Sequence, residues 1–416
     1  MIHDERLILG ADRSFMTVRH VRLCGSNREI GKKLAEIASE RHHLSRKNLE
    51  CRDAAVCAAR RDYFSRKYPI LYDRAEGIAD AMRIDISSNT HDVFGLPYNQ
   101  QIPPMPHGCS MVFFPKTGSK DGNPYLTRNY DFPRASMAEL IGIPIAASDS
   151  KTPVMSEPYL LELHPTDGGF ASLCLTSFDL LSGVLEGINS AGVTVAVNGD
   201  EIALTTAETK SEDVGLYELE SMRMLLDTCG TVQEAKQAML DHQHYAILMP
   251  SHYLIADNSG NAFVYEHSED GQHGHIIDCA DSPCLLTNHP LHRFTSSRSF
   301  PNLDGIMETG TTSFLRYRIL EESLSELAKP YLLHAMRSIA DPAIVSRCIQ
   351  HIPEPYRQVI SAEPLLSRTL WQTFYDIRER TMSIRFYLTE KPATDGGFDE
   401  VFSEYLTFKI EELDTV

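Results

Sequence analysis

From residue 109 onward the sequence presents strand-like runs in adjacent pairs, and this pairing limits the fold more than any other feature. "CSMVFF" (109–114) and "YLTRNYDF" (125–132) are joined by "PKTGSKDGNP", which is full of turn-forming residues. "GVLEGINSAGVTVAVN" places the turn "NSAG" between two strand-like arms, and "SHYLIADNSGNAFVYEH" repeats the pattern around "DNSGN". That second turn lacks the ligand spacing and downstream glutamate of a calcium loop. "GGFASLCLTSF" adds strand character before them, and "WQTFYDIRERTMSIRFYL" closes the series. Between the pairs lie helical stretches, "GLYELESMRMLLDTCG", "TVQEAKQAMLDH" with Thr231 and Glu234 as a capping box, and "TSFLRYRILEESLSELA". Strand pairs, then helices, then strand pairs predict a layered α+β protein rather than an alternating parallel sheet.

The first quarter differs. Apolar residues recur at helical spacing over residues 26–84, with Ser26 or Asn27 as N-cap before Glu29 and Pro69 opening the last helix. Residues 1–108 carry 17 basic and 14 acidic side chains, whereas the rest carries a net −21 against −18 for the whole chain. A Pro-rich stretch, "LPYNQQIPPMPHG", marks the change, so two units are expected: a helical segment over 1–108 and a main body over 109–416. The acidic body argues against nucleic acid or an anionic membrane as partner. No apolar run is long enough to span a bilayer, and "MIHDERLILGADRSF" does not read as a signal peptide. Nine cysteines form no CxxC pair, which fits reduced thiols in a cytoplasm.

One cysteine stands at a chemically interesting place. If Phe114 and Tyr125 flank the first hairpin loop, Cys109 falls opposite residue 130, and Arg128 and Asp131 lie beside it. A neighbouring cation favours the thiolate. The same pattern also fits a core cysteine beside a strand-surface ion pair. Histidines 242, 244, 252, 267, 273, 275, 289 and 292 crowd one region but match no zinc spacing, and read as a scattered surface population. No Walker or GxGxxG sequence occurs, so no cofactor and no metal are implied.

Four motifs in order, "GCS", "RNYDF", "EGINSAGVTVAVN" and "TNHP", resemble the choloylglycine-hydrolase and penicillin acyltransferase branch of the N-terminal nucleophile (Ntn) hydrolases. The likeness is strongest to the isopenicillin N acyltransferase-like group, whose members begin with a helical pro-segment. The resemblance implies a four-layer αββα sandwich of two antiparallel sheets. It also implies self-cleavage between Gly108 and Cys109, after which the freed α-amine serves as base for the Cys109 thiol. Glycine at 108 suits this by tolerating a strained backbone and leaving its carbonyl open. By the same resemblance Arg128 and Asp131 orient the nucleophile and Asn198 contributes to an oxyanion hole. Asn288 supports nucleophile and transition state, and Arg316 completes the polar site. Read from the residues alone, Asn198 and Asn288 could instead terminate strands through side-chain turn bonds. The implied ligand is a small N-acyl amide or acyl-thioester, with homo-oligomers known among relatives and "MAELIGIPIAASDSK" (137–151) as a candidate lid. Two other readings stay open: a Cys–His enzyme using His289 without self-cleavage, and an uncleaved, non-catalytic relative that binds an acyl-amide.

Overall fold

Two strands open the chain, β1 (Ile2–Leu9) and β2 (Val18–Gly25), followed by helices α1 (Asn27–His42), α2 (Ala54–Lys67) and α3 (Pro69–Met82). The computed structural model describes all residues except 11–13, 52, 95–107, 137–138, 140–151, 178, 203–213, 247–249, 268–273, 280, 303–311, 347–366, 395–396 and 411–416. The Pro-rich stretch before Gly108, the segment 137–151 apart from residue 139, and His273 therefore lie outside the described residues. Ser26 and Glu29 cap α1 reciprocally, and Pro69 occupies the first turn of α3, as the sequence suggests. The helices do not fill the whole first quarter, however. β1 and β2 are not legible because Arg19, His20 and Arg22 break the alternation of "VRHVRLCG", although Val18, Val21 and Leu23 are fully buried.

The first quarter is also woven into the body. β2 pairs in parallel with β5 (Tyr159–Pro165) over Arg19↔Tyr159 to Gly25↔Pro165. α1 and α3 pack backbone to backbone through two glycines: a Cβ on Gly31 would lie 2.0 Å from the Arg74 carbonyl oxygen, and one on Gly77 only 1.9 Å from that of Arg28. Arg74 then reaches from α3 to Asp227 at 2.6 Å, with both groups buried. Asp227 belongs to α4 (Glu218–Thr228), which covers β7 (Glu186–Asn189) and β8 (Thr194–Gly199).

The remaining strands complete two sheets. β6 is Ser172–Thr176; β9 (Ser251–Ala256), β10 (Ala262–His267) and β11 (Gly274–Cys279) follow the helix α5 (Val232–Asp241). Among the described residues the larger sheet has nine strands in the order β1-β2-β5-β6-β7-β8-β9-β10-β11. The smaller contains β3 (Gly108–Phe114), β4 (Tyr125–Pro133), β12 (Cys284–Leu286), β13 (Ser367–Asp376), β14 (Thr381–Pro392), β15 (Phe398–Phe402) and β16 (Leu406–Lys409). Three further helices, α6 (Ser313–Glu326), α7 (Leu333–Ser338) and α8 (Pro342–Val345), accompany it.

The register of β3 and β4 follows the turn-based reading, with Phe114 opposite Tyr125 and Cys109 opposite Tyr130. Because side chains alternate, β3 serves two cores at once. Met111 and Phe113 point between the sheets, while Val112 and Phe114 pack outward with Leu320, Met336 and Val345 of α6–α8. Helices α1, α4 and α5 lie against the larger sheet. The result is the expected α+β, αββα layering, with Cys109 on the face between the sheets.

The glycine contact between α1 and α3 is testable. Gly77→Ala forces a methyl into the Arg28 carbonyl, so the unfolding free energy from urea titration should fall by about 3 kcal/mol.

Candidate active site

β3 and β4 bring Cys109, Arg128 and Asp131 together, but on two faces. Residues directly opposite in an antiparallel pair share a face, so Cys109 lies with Tyr130 and Met111 with Arg128, between the sheets. Arg128 Nη2 donates to Cys109 Sγ at 3.5 Å. The guanidinium also donates to the Val197 carbonyl at 2.5 Å and to the Leu185 carbonyl at 3.2 Å. Asp131 pairs with Gly108 and points the other way, where its Oδ1 accepts from Ser346 and Thr369 at 3.1 and 2.5 Å. Its Oδ2 is buried with no hydrogen-bond donor.

That orphan oxygen explains Gly108. A Cβ at this position would lie 3.1 Å from Asp131 Oδ2 and 3.3 Å from the Arg316 guanidinium. The backbone here is regular strand, and Gly108 is not among the glycines with positive φ. Glycine here relieves a tight contact and does not supply the strained conformation expected from the sequence.

Asn288 and Arg316 grip the backbone of Cys109. Its N–H donates to Asn288 Oδ1 at 2.8 Å, and Asn288 Nδ2 donates to the Gly199 carbonyl at 2.8 Å, spanning the gap to the end of β8. Arg316 Nη1 donates to the Cys109 carbonyl oxygen, and its Nη2 to Asn288 Oδ1 at 2.8 Å. Asn198 Nδ2 donates to the Thr287 carbonyl at 3.3 Å, while its buried Oδ1 has no hydrogen-bond partner. All six residues singled out in the sequence thus meet in one region, five of them linked to Cys109 or to the Thr287–Asn288 segment, with Asp131 beneath Gly108.

Electrostatics here are set by desolvation. Burial pushes the Cys109 thiol up to about 11; Arg128 pulls it down and Asp131 pushes it further up. Burial likewise raises the Asp131 carboxyl, opposed by Arg316. Glu201, whose backbone N–H donates to the Asn288 carbonyl at 3.0 Å, is pushed up to about 8 by burial, against the pull of Arg316.

The histidines differ from the expected surface population. His252 and His289 are fully buried. His289 Nδ1 faces the hydroxyls of Ser313 and Thr287 at 2.8 and 3.2 Å, and its ring sits among Phe294, Phe300 and Phe314. Burial pushes it down to about 3, with repulsion from His252 and Arg316 in the same direction. A ring so placed is neutral and held among hydroxyls and aromatic rings. Among the described residues no group of three or more His, Cys, Asp or Glu side chains could hold a metal ion. Nor is any helix among them long and apolar enough to cross a membrane.

The family model of acyl-coenzyme A:6-aminopenicillanic acid acyl-transferases matches residues 118–390. The chain belongs to that family. The matched stretch contains Arg128, Asp131, Asn198, Asn288 and Arg316 and begins after Cys109. Similar solved structures include a mutant of conjugated bile acid hydrolase from Clostridium perfringens (15% identity, 72% of this chain and 96% of that one, TM-score 0.42). Penicillin V acylase from Agrobacterium tumefaciens is another (16% identity, 68% and 83% covered, TM-score 0.40). A third is the Caenorhabditis elegans ortholog of N-acylethanolamine-hydrolyzing acid amidase (16% identity, 65% and 93% covered, TM-score 0.34). A sequence search of curated proteins found no match.

One important residue of this acyl-transferase family member was missed in the sequence. Glu186, fully buried at the start of β7, accepts from Arg128 at 2.8 Å, Trp371 Nε1 at 2.7 Å, Thr373 at 2.6 Å and Tyr375 at 3.0 Å. The three aligned donors on β13 and the Arg128 guanidinium saturate the carboxylate and aim Arg128 at the thiol. The available signal was an isolated acid inside the apolar run "GVLEGIN". Removing one partner of a buried ion pair leaves an uncompensated charge. Glu186→Gln should therefore lower the unfolding free energy by about 3–5 kcal/mol, measured by denaturant titration. Tyr375→Phe, which deletes a single donor, should cost about 1 kcal/mol in the same assay.

Proposed function

We propose that the chain is a self-processing N-terminal-cysteine enzyme that cleaves Gly108–Cys109 and then acts on linear N-acyl amides, passing the acyl group to water or an amine. The observation that carries this reading is the complete engagement of Cys109 directly after a glycine. Its Sγ faces Arg128, its N–H is held by Asn288, and its carbonyl oxygen is held by Arg316.

Cleavage begins as Sγ attacks the Gly108 carbonyl carbon. A C–S bond forms, the C–N bond breaks, and the thiol proton passes to the departing nitrogen. Water then hydrolyses the thioester, releasing the 1–108 segment as an acid and restoring the thiol on a chain that starts with Cys109. The new α-amine replaces the amide N–H that Asn288 holds in the uncut chain, and Asn288 Oδ1 keeps it oriented beside its own thiol. A thiol pushed up to about 11 needs such a base. An α-amine near about 7.7–8.0 is neutral enough to provide it at working pH. The mature cysteine attacks a substrate carbonyl, the amine leaves with a proton, and an acyl-thioester forms. Arg128 stabilises the thiolate as a charge-assisted partner. Asn198 supplies the amide donor for the oxyanion, and Asp131, beneath Gly108, balances Arg316 and orients the new amine. The scheme calls for no cofactor.

Two outcomes test this. With a panel of N-acyl amides, Asn198→Ala should lower kcat by roughly 10²–10³ while KM changes little, because the donor acts on the oxyanion rather than on the ground state. Cys109→Ala should abolish turnover. The two steps should also differ in pH dependence. Self-cleavage of the uncut chain, followed by mass spectrometry, should accelerate steadily between about pH 7 and 10, since the thiolate fraction still grows below a thiol value of about 11. Turnover by the mature enzyme should instead level off near about pH 8, where the α-amine is already neutral.

A further inference from the structure

Asn198 begins a row of polar residues across the larger sheet. It pairs with His252 of β9, His252 with Glu266 of β10, and Glu266 with His275 of β11. Cross-strand partners share a face, so the row lies on the side that meets the segment following β12. Glu266, 1% exposed, saturates its carboxylate there. Oε1 accepts from the Leu291 N–H at 2.7 Å, and Oε2 accepts from the His292 N–H at 3.0 Å and contacts His292 Nδ1 at 2.7 Å. His252 Nδ1 lies in ion-pair contact with Oε1 at 3.0 Å. His252 Nε2 lies 3.7 Å from Asp200, which separates Gly199, the acceptor of Asn288 Nδ2, from Glu201, whose N–H binds the Asn288 carbonyl.

The segment "TNHPLH" is thus fastened at both ends. β12 pairs with β3 through Leu286↔Met111 just before it, and Glu266 clamps two consecutive backbone N–H groups just after Pro290. Asn288 hangs between these points with its Oδ1 on the Cys109 nitrogen. The Leu291 N–H is buried and the His292 N–H partly so, and leaving a buried donor unpaired is costly, which makes the carboxylate their anchor.

We infer that Glu266 is a positioning residue for acyl transfer: by accepting the Leu291 and His292 N–H groups it sets where Asn288 meets the nucleophile. The inference rests on the nucleophile reading above. A glutamine offers one acceptor oxygen and turns its amide NH2 donor toward the second N–H, so the clamp opens on one side. An aspartate keeps the charge and both oxygens but falls one methylene short.

The experiment measures kcat, KM and self-cleavage rate for wild type, Cys109→Ala, Glu266→Gln and Glu266→Asp on an N-acyl amide substrate, normalised to folded protein by circular dichroism. Glu266→Gln should lose about 10- to 100-fold in kcat with KM within about twofold, because Asn288 is misplaced rather than substrate binding lost. Glu266→Asp should fall between it and wild type, and carries the test if the glutamine variant does not fold. Folded variants with wild-type kcat, beside a wild type whose activity depends on Cys109, would overturn this assignment alone. A wild type without Cys109-dependent chemistry would overturn the nucleophile reading and this assignment with it.

Discussion

The buried ion pair between Arg128 and Glu186 joins the two sheets at the point where the chemistry sits. Neither group reaches solvent, and they meet at 2.8 Å. Desolvating two charges is costly unless every remaining donor and acceptor is used. Here the use is nearly complete: Glu186 takes three further donors from β13, and Arg128 gives to the Val197 carbonyl of β8, to the Leu185 carbonyl just before β7 and to Cys109. Stacking of Tyr130 on Trp371 at 4.1 Å, with Arg128 over the Tyr130 ring at 4.9 Å, closes the surroundings. A guanidinium held this tightly has one orientation, and that orientation faces the thiol.

The second constraint is a short segment crossing from one sheet to the other. Leaving β12, the chain passes Thr287 and Asn288, turns at Pro290 and reaches the larger sheet at Glu266. Arg316 from α6 fixes the same asparagine and the Cys109 carbonyl from the helical side. Cys109 is therefore positioned from three layers, which the two-sheet architecture permits and a single sheet would not. Asp131 and Arg316 crowd position 108, where a Cβ would sit 3.1 Å from Asp131 Oδ2 and 3.3 Å from the Arg316 guanidinium.

Much of this was legible in the sequence where the signal is local. The turn after Phe114 set the β3–β4 register, and the register alone brought Cys109, Arg128 and Asp131 together. Asn198 and Asn288 came from ordered motifs and Arg316 from the family resemblance beyond them, not from pattern physics. What stayed hidden depends on distant partners. Glu186 looks like a stray acid until Trp371, 185 residues away, donates to it. His252 and His289 look like surface residues until the sheet row and the aromatic cage bury them. β1 and β2 stay hidden because a strand interrupted by charged residues on both faces resembles a loop when its partner strand is unknown.

The most direct test of the account is the intact mass of freshly purified wild-type protein beside Cys109→Ala under denaturing conditions. Two wild-type fragments meeting between Gly108 and Cys109, with the alanine variant whole, are the expected result. A wild-type chain that stays whole through prolonged incubation at mildly alkaline pH, or an alanine variant cut at the same bond, would contradict it.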